Sequence, residues 1–318
     1  MKRRDFIAGL GSAAAWPLAV WPRMAWAQQA NKLPRVAVLN SPAETDPEAQ
    51  AWVKAFVQGF AALGWSDGLN VRIDVRWAGG EAKQIEKLAK ELVELHPDVV
   101  LAISTPSVDA IMRESRTLPI VFTAVTDPVA QGLVETLARP GRNITGFTIF
   151  EPEIGSKWLE VVKQIAPETK RAAVIFNPET EPYYRLYMSS IEAAGASLSV
   201  ETFEAPVRSR VEIEAAISAL AREPAGAVIS MSGTFPVVHR DLIIAMAAQY
   251  RLPAVYPFRF QAMDGGLISY QPVLRIYITP FMTARMSVRR LPPPGLAGGI
   301  NGLTYAHSSS VRSLGYLR

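Results

Sequence analysis

Short apolar runs alternate along this chain with longer stretches in which apolar positions recur every three or four residues. RVAVLN (35–40), DVVLAIS (98–104), PIVFTAV (119–125) and ITGFTIF (144–150) have strand length, and NVRIDVRW (70–77) alternates with one wetter face. Between the first two strands, Trp52, Val53, Phe56, Val57, Phe60 and Leu63 recur at helical spacing up to Gly64. Ile85, Leu88, Ala89, Leu92 and Val93 do the same, and further helices are predicted near 106–115 and 128–138. The pattern then begins again: a helix near 152–165, RAAVIFN (171–177), a helix near 181–194, SLSVETFE (197–204) and a helix near 209–222. GAVISMS (226–232), a helix near 236–250, PAVYPF (253–258) and GGLISY (265–270) complete it. Strand and helix taking turns in two series predicts an α/β protein with two doubly wound, mostly parallel lobes around a central cleft. Strands apolar on both faces are what sheets covered by helices on both sides require.

In open sheets of this kind a ligand sits beyond the carboxyl ends of the strands, where strand order reverses. The residues at those ends are Asn40-Ser41, Ser104-Thr105-Pro106-Ser107 and Thr123-Ala124 leading to Asp127-Pro128 in the first series. In the second they are Asn177-Pro178, Ser230-Met231-Ser232-Gly233-Thr234 and Tyr256-Pro257-Phe258. They are neutral, hydrogen-bonding and partly aromatic, apart from Asp127. Ser104 or Thr105 is placed to cap the helix that follows, with Pro106 in its first turn, where a missing N–H is no loss. The free N–H groups there favour an anionic group such as a carboxylate, and the hydroxyls add neutral hydrogen bonds. Each residue is also an ordinary helix cap, so the inference rests on the same chemistry recurring at several tips. Asp127 is read either as an N-cap or as a partner for an ammonium group. Tyr183, Tyr184 and Tyr187, at the start of the helix after Asn177, are placed to face the cleft and to stack on a planar ligand, or else simply to pack.

Composition narrows the chemistry. The 318 residues include no cysteine, which removes disulfides, thiolate metal sites and cysteine nucleophiles. The three histidines, His96, His239 and His307, have no zinc-helix spacing, so neither a metal nor a cofactor is expected. No phosphate-binding P-loop and no G-x-S-x-G elbow occurs, and NSPAETD follows the first strand where a dinucleotide site needs glycines. The G-x-G-x-x-A match at Gly9–Ala14 follows no strand and is set aside.

The first 27 residues read as an export signal: a basic start with Arg3-Arg4, an apolar middle and the small-x-small end Ala25-Trp26-Ala27. The Arg pair followed by Asp5-Phe6-Ile7 is similar to a twin-arginine signal, with an ordinary Sec signal as the alternative. The net charge of +4 is uneven: residues 1–27 sum to +3 and 265–318 to +6, leaving the body at −5. A mildly acidic body argues against nucleic acid as a partner. Residues 273–318 contain six arginines and no acidic residue or lysine. They are expected to form an atypical basic tail, either disordered or read in a slipped frame from near Pro272.

Several blocks have a family likeness. RVAVLNSP, HPDVVLAISTPSVDAI, LPIVFTAVTDPVAQGLVETLARPGRNITGFT, KWLEVVKQIAPETKRAAVIFNPE and LPAVYPFRFQAMDGGLISYQP resemble the ABC-transporter substrate-binding protein family, in its TrpX-like branch. The resemblance implies a periplasmic binding protein of type I. Lobe 1 would span 34–147 plus about 259–272 and lobe 2 would span 148–258. Crossings would lie near 147–152 and 256–261, with GGLISY returning to lobe 1. It also implies a non-enzymatic, monomeric, periplasmic protein. Such a protein closes on a small solute, in the related branch an amino acid, and presents it to an ABC permease in the membrane. On this reading Ser41, Ser104, Thr105, Ser107, Thr123 and Asp127 approach the solute from lobe 1, and Asn177, Ser232 and Tyr256 from lobe 2. A sensory ligand-binding module and an exported α/β hydrolase or isomerase stand as the other readings.

Overall fold

The computed structural model describes residues 33–271, and these form two parallel-sheet lobes. In lobe 1 the elements run β1 (Arg35–Asn40), α1 (Pro47–Ala62), β2 (Arg72–Trp77), α2 (Ala82–Glu94), β3 (Val99–Ile103), α3 (Thr105–Glu114), β4 (Ile120–Val125) and β5 (Ile144–Thr148). Lobe 2 continues with α4 (Ile154–Ile165), β6 (Arg171–Phe176), α5 (Tyr184–Leu198), β7 (Glu201–Pro206), α6 (Arg210–Leu220) and β8 (Gly226–Ser230). It ends with α7 (Thr234–Val238), α8 (Arg240–Gln249), β9 (Ala254–Tyr256), α9 (Arg259–Met263) and β10 (Ile268–Ser269).

Both sheets have the same topology. The first is ordered β2-β1-β3-β4-β5 and the second, read from its other edge, β7-β6-β8-β9-β10, every pair parallel. Strand order therefore reverses between β1 and β3 in one lobe and between β6 and β8 in the other. This is the arrangement of a periplasmic binding protein of type I.

The strands at the middle of each sheet are buried on both faces. In lobe 1, Ala37, Leu39, Val100, Ala102 and Phe122 pack against Ile85, Leu88 and Leu92 of α2 and Val108 and Ile111 of α3. On the other face Val36, Val38, Leu101 and Val121 meet Phe56 and Phe60 of α1. Lobe 2 repeats this. Val174, Phe176 and Ile229 face Trp158 and Tyr187, while Ile175, Val228 and Tyr256 face Ile213, Ile217 and Ile243.

Three expectations need correction. No helix forms over 128–138. Asp127 accepts the Ala130 N–H at 3.0 Å, and with Pro128 before it and Gly132 at φ +69° after it the segment runs as successive turns. The helix expected over 236–250 is two, α7 and α8, joined at His239. The third concerns the crossings. β10 pairs in parallel with β9 (Ile268 with Val255, Ser269 with Tyr256), so GGLISY belongs to the second sheet and the chain does not cross back at 256–261. The short α9 makes an ordinary β-α-β step to the neighbouring position. Ile268 enters the lobe 2 core, and the Trp158 indole N–H donates to the Tyr270 carbonyl at 2.9 Å. The export signal expected over 1–27 and the basic tail expected over 273–318 lie outside the described residues.

Gly146 sits where β5 approaches β4 most closely. A Cβ there would stand 2.1 Å from the Phe122 carbonyl oxygen and 2.5 Å from its ring. Gly146→Ala must push β5 off the sheet. It is expected to lower stability by about 1–3 kcal/mol or more, as overpacking does, read as a lower urea midpoint at unchanged m.

Candidate ligand-binding cleft

The carboxyl ends of the two sheets face one another. Thr126, just past β4, bonds through its hydroxyl to the Tyr187 phenol of α5 at 2.9 Å. Asp46, before α1, meets Arg240 of α8 at 2.5 Å. The Trp52 ring of α1 stands edge-on to Phe260 of α9 at 6.5 Å. A Cβ on Gly80, in the β2–α2 turn, would come within 3.0 Å of Val238 in α7. Each of these contacts joins a loop or helix start of lobe 1 to one of lobe 2.

At the β1/β3 switch point three serines cluster. The Ser41 hydroxyl lies 2.5 Å from that of Ser104 and 2.8 Å from that of Ser107. Ser41 and Ser107 are fully buried. The Ser104 side chain caps α3 by accepting from the Ser107 N–H, as the sequence suggested. To do so Ser104 takes φ +97° and ψ 157°, a region otherwise left almost entirely to glycine. Ala124 (φ +56°) and Asp127 (φ +32°) follow at the tip of β4. Three strained non-glycine residues thus cluster at two neighbouring strand ends. Strain concentrates at functional sites because only a surrounding that over-determines the backbone holds it.

Some buried side chains near this cluster, and one at the matching strand end of lobe 2, have no partner. Asn40 at the end of β1, Thr105 at the start of α3, Thr123 in β4 and Ser230 at the end of β8 are all at most 4% exposed. The Asn40 amide and the Thr105, Thr123 and Ser230 hydroxyls find no hydrogen-bond partner among the described residues. Register puts Asn40, Ile103 and Thr123 in one row across the top of sheet 1. A buried polar group without a partner costs roughly 1–3 kcal/mol. Four such groups lie at or near the strand ends beside the two switch points, while Trp65, Thr169 and Gln261 have unpartnered atoms elsewhere.

The predicted residues divide accordingly. Thr105 and Thr123 are buried, free hydroxyls. Ser41, Ser104 and Ser107 come together but bond mainly one another. Asp127 caps a turn, and the Asn177 side chain accepts the Glu179 N–H at 2.8 Å. Ser232 lies beside the tyrosines, its carbonyl accepting from the Tyr183 hydroxyl at 3.3 Å and its side chain bonding that of Tyr187. Tyr256 stands apart. It is 1% exposed, packed among Ile213, Ile243 and Ile244, and its phenol is pushed well up by burial. Tyr183 and Tyr187 do meet the cleft, whereas Tyr184 stacks on Phe176 at 4.2 Å.

Two charged groups went unread in the sequence. Asp109, one turn along α3 from Thr105, helps line a concavity of about 530 Å³ with Met112, Arg113 and Arg116. Burial pushes its carboxyl up, and the neighbouring Arg113 partly opposes this. Glu181 is fully buried between the loops after β6 and β8. It accepts from the Asn177 N–H at 2.8 Å, the Thr180 hydroxyl at 2.8 Å and the Phe235 N–H at 3.1 Å, and so ties the two loops at the lobe 2 switch point. Gly233 leaves it room: a Cβ there would lie 2.3 Å from the Glu181 Cγ. NPETE showed a glutamate in a turn, and nothing local signalled that it turns inward.

The sequence pattern described as ABC transporter substrate binding protein matches residues 36–289. The chain belongs to this family. Over 167 residues it is 33% identical to the tyrosine-binding protein of Clostridioides difficile strain R20291, a match covering 52% of this chain and 48% of that protein. The alignment thus spans about half the length of that relative. Among solved structures, a conserved domain protein from Vibrio cholerae is 26% identical at TM-score 0.72, over 82% of this chain and 87% of that one. A Streptococcus pneumonia ABC domain in complex with L-Trp superimposes at TM-score 0.69 with 23% identity, over the same shares of the two chains.

Burial, partly offset by its hydrogen bonds, pushes the Glu181 carboxyl up to about 7 from the ordinary 4.5. A folded-state value above the unfolded one makes the folded form hold its proton longer. The corresponding stability is therefore complete below pH 4.5 and lost as pH rises to about 7. Glu181→Gln cannot titrate. Between pH 5 and pH 8 the wild type is expected to lose on the order of 2–3 kcal/mol relative to this variant, measured from urea midpoints at each pH.

Proposed function

We propose that this family member is the exported solute receptor of an ABC importer, and that it captures an amino acid with an aromatic side chain in the interlobe cleft. The observation that carries the reading is the set of unpartnered, buried polar side chains at the facing strand tips: Asn40, Thr105, Thr123 and Ser230. A neutral, hydroxyl-rich wall at the start of α3, with the positive end of the helix dipole behind it, suits a carboxylate held without a counter-ion. Tyr183 and Tyr187 from lobe 2 bring their phenol ends to the cleft, Tyr187 reaching Thr126 of lobe 1, and so put aromatic side chains beside the site. The printed names of two similar proteins point the same way, one to tyrosine and one to L-Trp.

In this reading the lobes close on the solute by hinge motion, and the closed form docks on the permease. The solute leaves unchanged. The pattern of residues 1–27 supports delivery to the periplasm.

L-tyrosine and L-tryptophan are expected to raise the melting temperature of the purified protein, and sugars are not. Thr105→Val and Thr123→Val remove a buried hydroxyl that has no protein partner. Each is expected to leave the solute-free protein as stable as wild type or more so, while weakening L-tyrosine or L-tryptophan binding about tenfold. A hydroxyl with a purely structural role would give the reverse, a less stable protein with unchanged affinity. Calorimetric titration and thermal melts of the two variants separate these outcomes. Absence of any shift with the whole set of amino acids would remove the proposal.

A further inference from the structure

We infer that Arg240 is a positioning residue for solute capture: the lobe 2 half of a latch whose other half is Asp46 of lobe 1, biasing the cleft toward its closed form. The inference rests on the solute-receptor reading above and concerns a contact at the cleft rim, distinct from the strand tips that hold the solute.

Arg240 is the first residue of α8, the helix end where a cation is disfavoured by the aligned peptide dipoles. Helix stability therefore gives no reason for an arginine there. Its surroundings do. Within its own lobe the guanidinium is fixed from three sides. Nε donates to Asp264 at 2.8 Å, Nη1 donates to the Val237 carbonyl at 3.0 Å, and the Phe260 ring lies 5.3 Å from the guanidinium carbon. Nη1 also reaches across to Asp46 Oδ2 at 2.5 Å.

Asp46 is equally prepared. Its Oδ1 accepts the Glu48 and Ala49 N–H groups, both at 3.0 Å, as the N-cap of α1, which leaves Oδ2 for Arg240. The side chains are 14% and 10% exposed. Most surface ion pairs contribute little, because two long side chains must be ordered to make them and water screens the result. Neither reason applies here. Each partner is already held by its own lobe, and the pair is largely out of water. Next to it, Trp52 meets Phe260 edge-on, so the polar contact has an apolar flank joining the same two lobes. Glu48 lies close by, its carboxyl pushed up by burial and then by Asp46, with Arg240 opposing.

Separating the lobes must break the Arg240–Asp46 contact and leaves every other Arg240 contact intact. The pair therefore acts on the open–closed equilibrium and on solute release rather than on folding. Electrostatic contacts between preorganised partners couple strongly enough to change affinity about tenfold.

The chain has no cysteine, so one label pair can report on the lobes. Leu69 and Val211, 79% and 72% exposed on opposite lobes, are replaced by cysteine in the full chain and spin-labelled. Interlobe distances are measured by pulsed electron resonance without solute and with L-tyrosine, in wild type, Arg240→Gln, Asp46→Asn and the double variant. Asparagine keeps the α1 cap, so Asp46→Asn removes the latch without removing the helix signal.

Without solute, the wild type is expected to show a closed-distance population that falls about threefold or more in each single variant and no further in the double variant. With L-tyrosine, release is expected to be about tenfold faster in the variants. A closed population that is absent from the wild type, unchanged in the variants, or lowered by Arg240→Gln but not by Asp46→Asn would overturn the latch. If L-tyrosine does not bind at all, the function proposed above fails while the solute-free distances still decide the latch.

Discussion

A polar atom removed from water must find a partner, and at the strand tips of this chain that requirement goes unmet. Through most of the two cores the same requirement is met from within, the Trp65, Thr169 and Gln261 side chains being exceptions. The central strands satisfy their backbones by parallel pairing, and their side chains are almost all Val, Ile, Leu, Ala and Phe. At the tips the residue types change to Asn, Ser and Thr while burial stays the same. Four of those side chains stand without a protein partner. In a packed interior such groups are rare because each is destabilising. Their concentration beside two switch points gives the cleft wall a neutral, hydrogen-bonding chemistry.

The backbone around the tips is arranged to the same end. Ser104 occupies a conformation that glycine would adopt without strain. Glycine there would lose both the cap of α3 and the bonds to Ser41 and Ser107. The serine triangle, by bonding to itself, braces the turn and leaves Thr105, the next residue, free. In lobe 2 Glu181 takes the bracing role, with a carboxylate in place of three hydroxyls. The two lobes thus solve one mechanical problem, holding two loops together at a switch point, with different chemistry. Only the lobe 2 solution titrates near neutrality.

What the sequence made legible follows from how local each signal is. The strands VVLAI and RAAVIF and the helix with Ile85, Leu88, Ala89 and Leu92 were readable because burial on a regular element imposes a period. The capping serine at 104 was readable because its partner is three residues away. The stretch 128–138 misled because its apolar spacing mimics a helix, while the Asp127 cap and Gly132 decide for turns. The lobe of β10 was not legible at all. Its place is set by Trp158, 112 residues before its hydrogen-bond partner Tyr270. Arg240 and Asp46, 194 residues apart, and the inward turn of Glu181 are tertiary facts of the same kind. Tyr256 was placed at a tip correctly and assigned to the cleft, but the pleat sends its ring to the α8 side of the sheet.

The connection between the lobes shows where motion is cheap. Phe150, just after β5, is 1% exposed and lies in the lobe 2 core, 6.1 Å from the Trp158 ring and 5.3 Å from that of Phe258. Trp158 in turn stacks on Tyr187 at 5.3 Å, and Tyr187 bonds Thr126 across the cleft. Moving Phe150 relative to lobe 2 would open a cavity in a packed aromatic cluster, which typically costs several kcal/mol. Bending just before it disturbs far less. Thr148 holds the Val125 carbonyl at 2.8 Å and the Phe150 carbonyl at 3.2 Å through its hydroxyl, and the Ile149 N–H reaches Val125 only at 3.4 Å. A few part-buried hydrogen bonds stand against a whole aromatic core, so the lobe rotation proposed above would fall on Thr148 and Ile149. Such a rotation would pull Thr126 from Tyr187 and Asp46 from Arg240, and so would link the cleft wall and the rim contact in one motion.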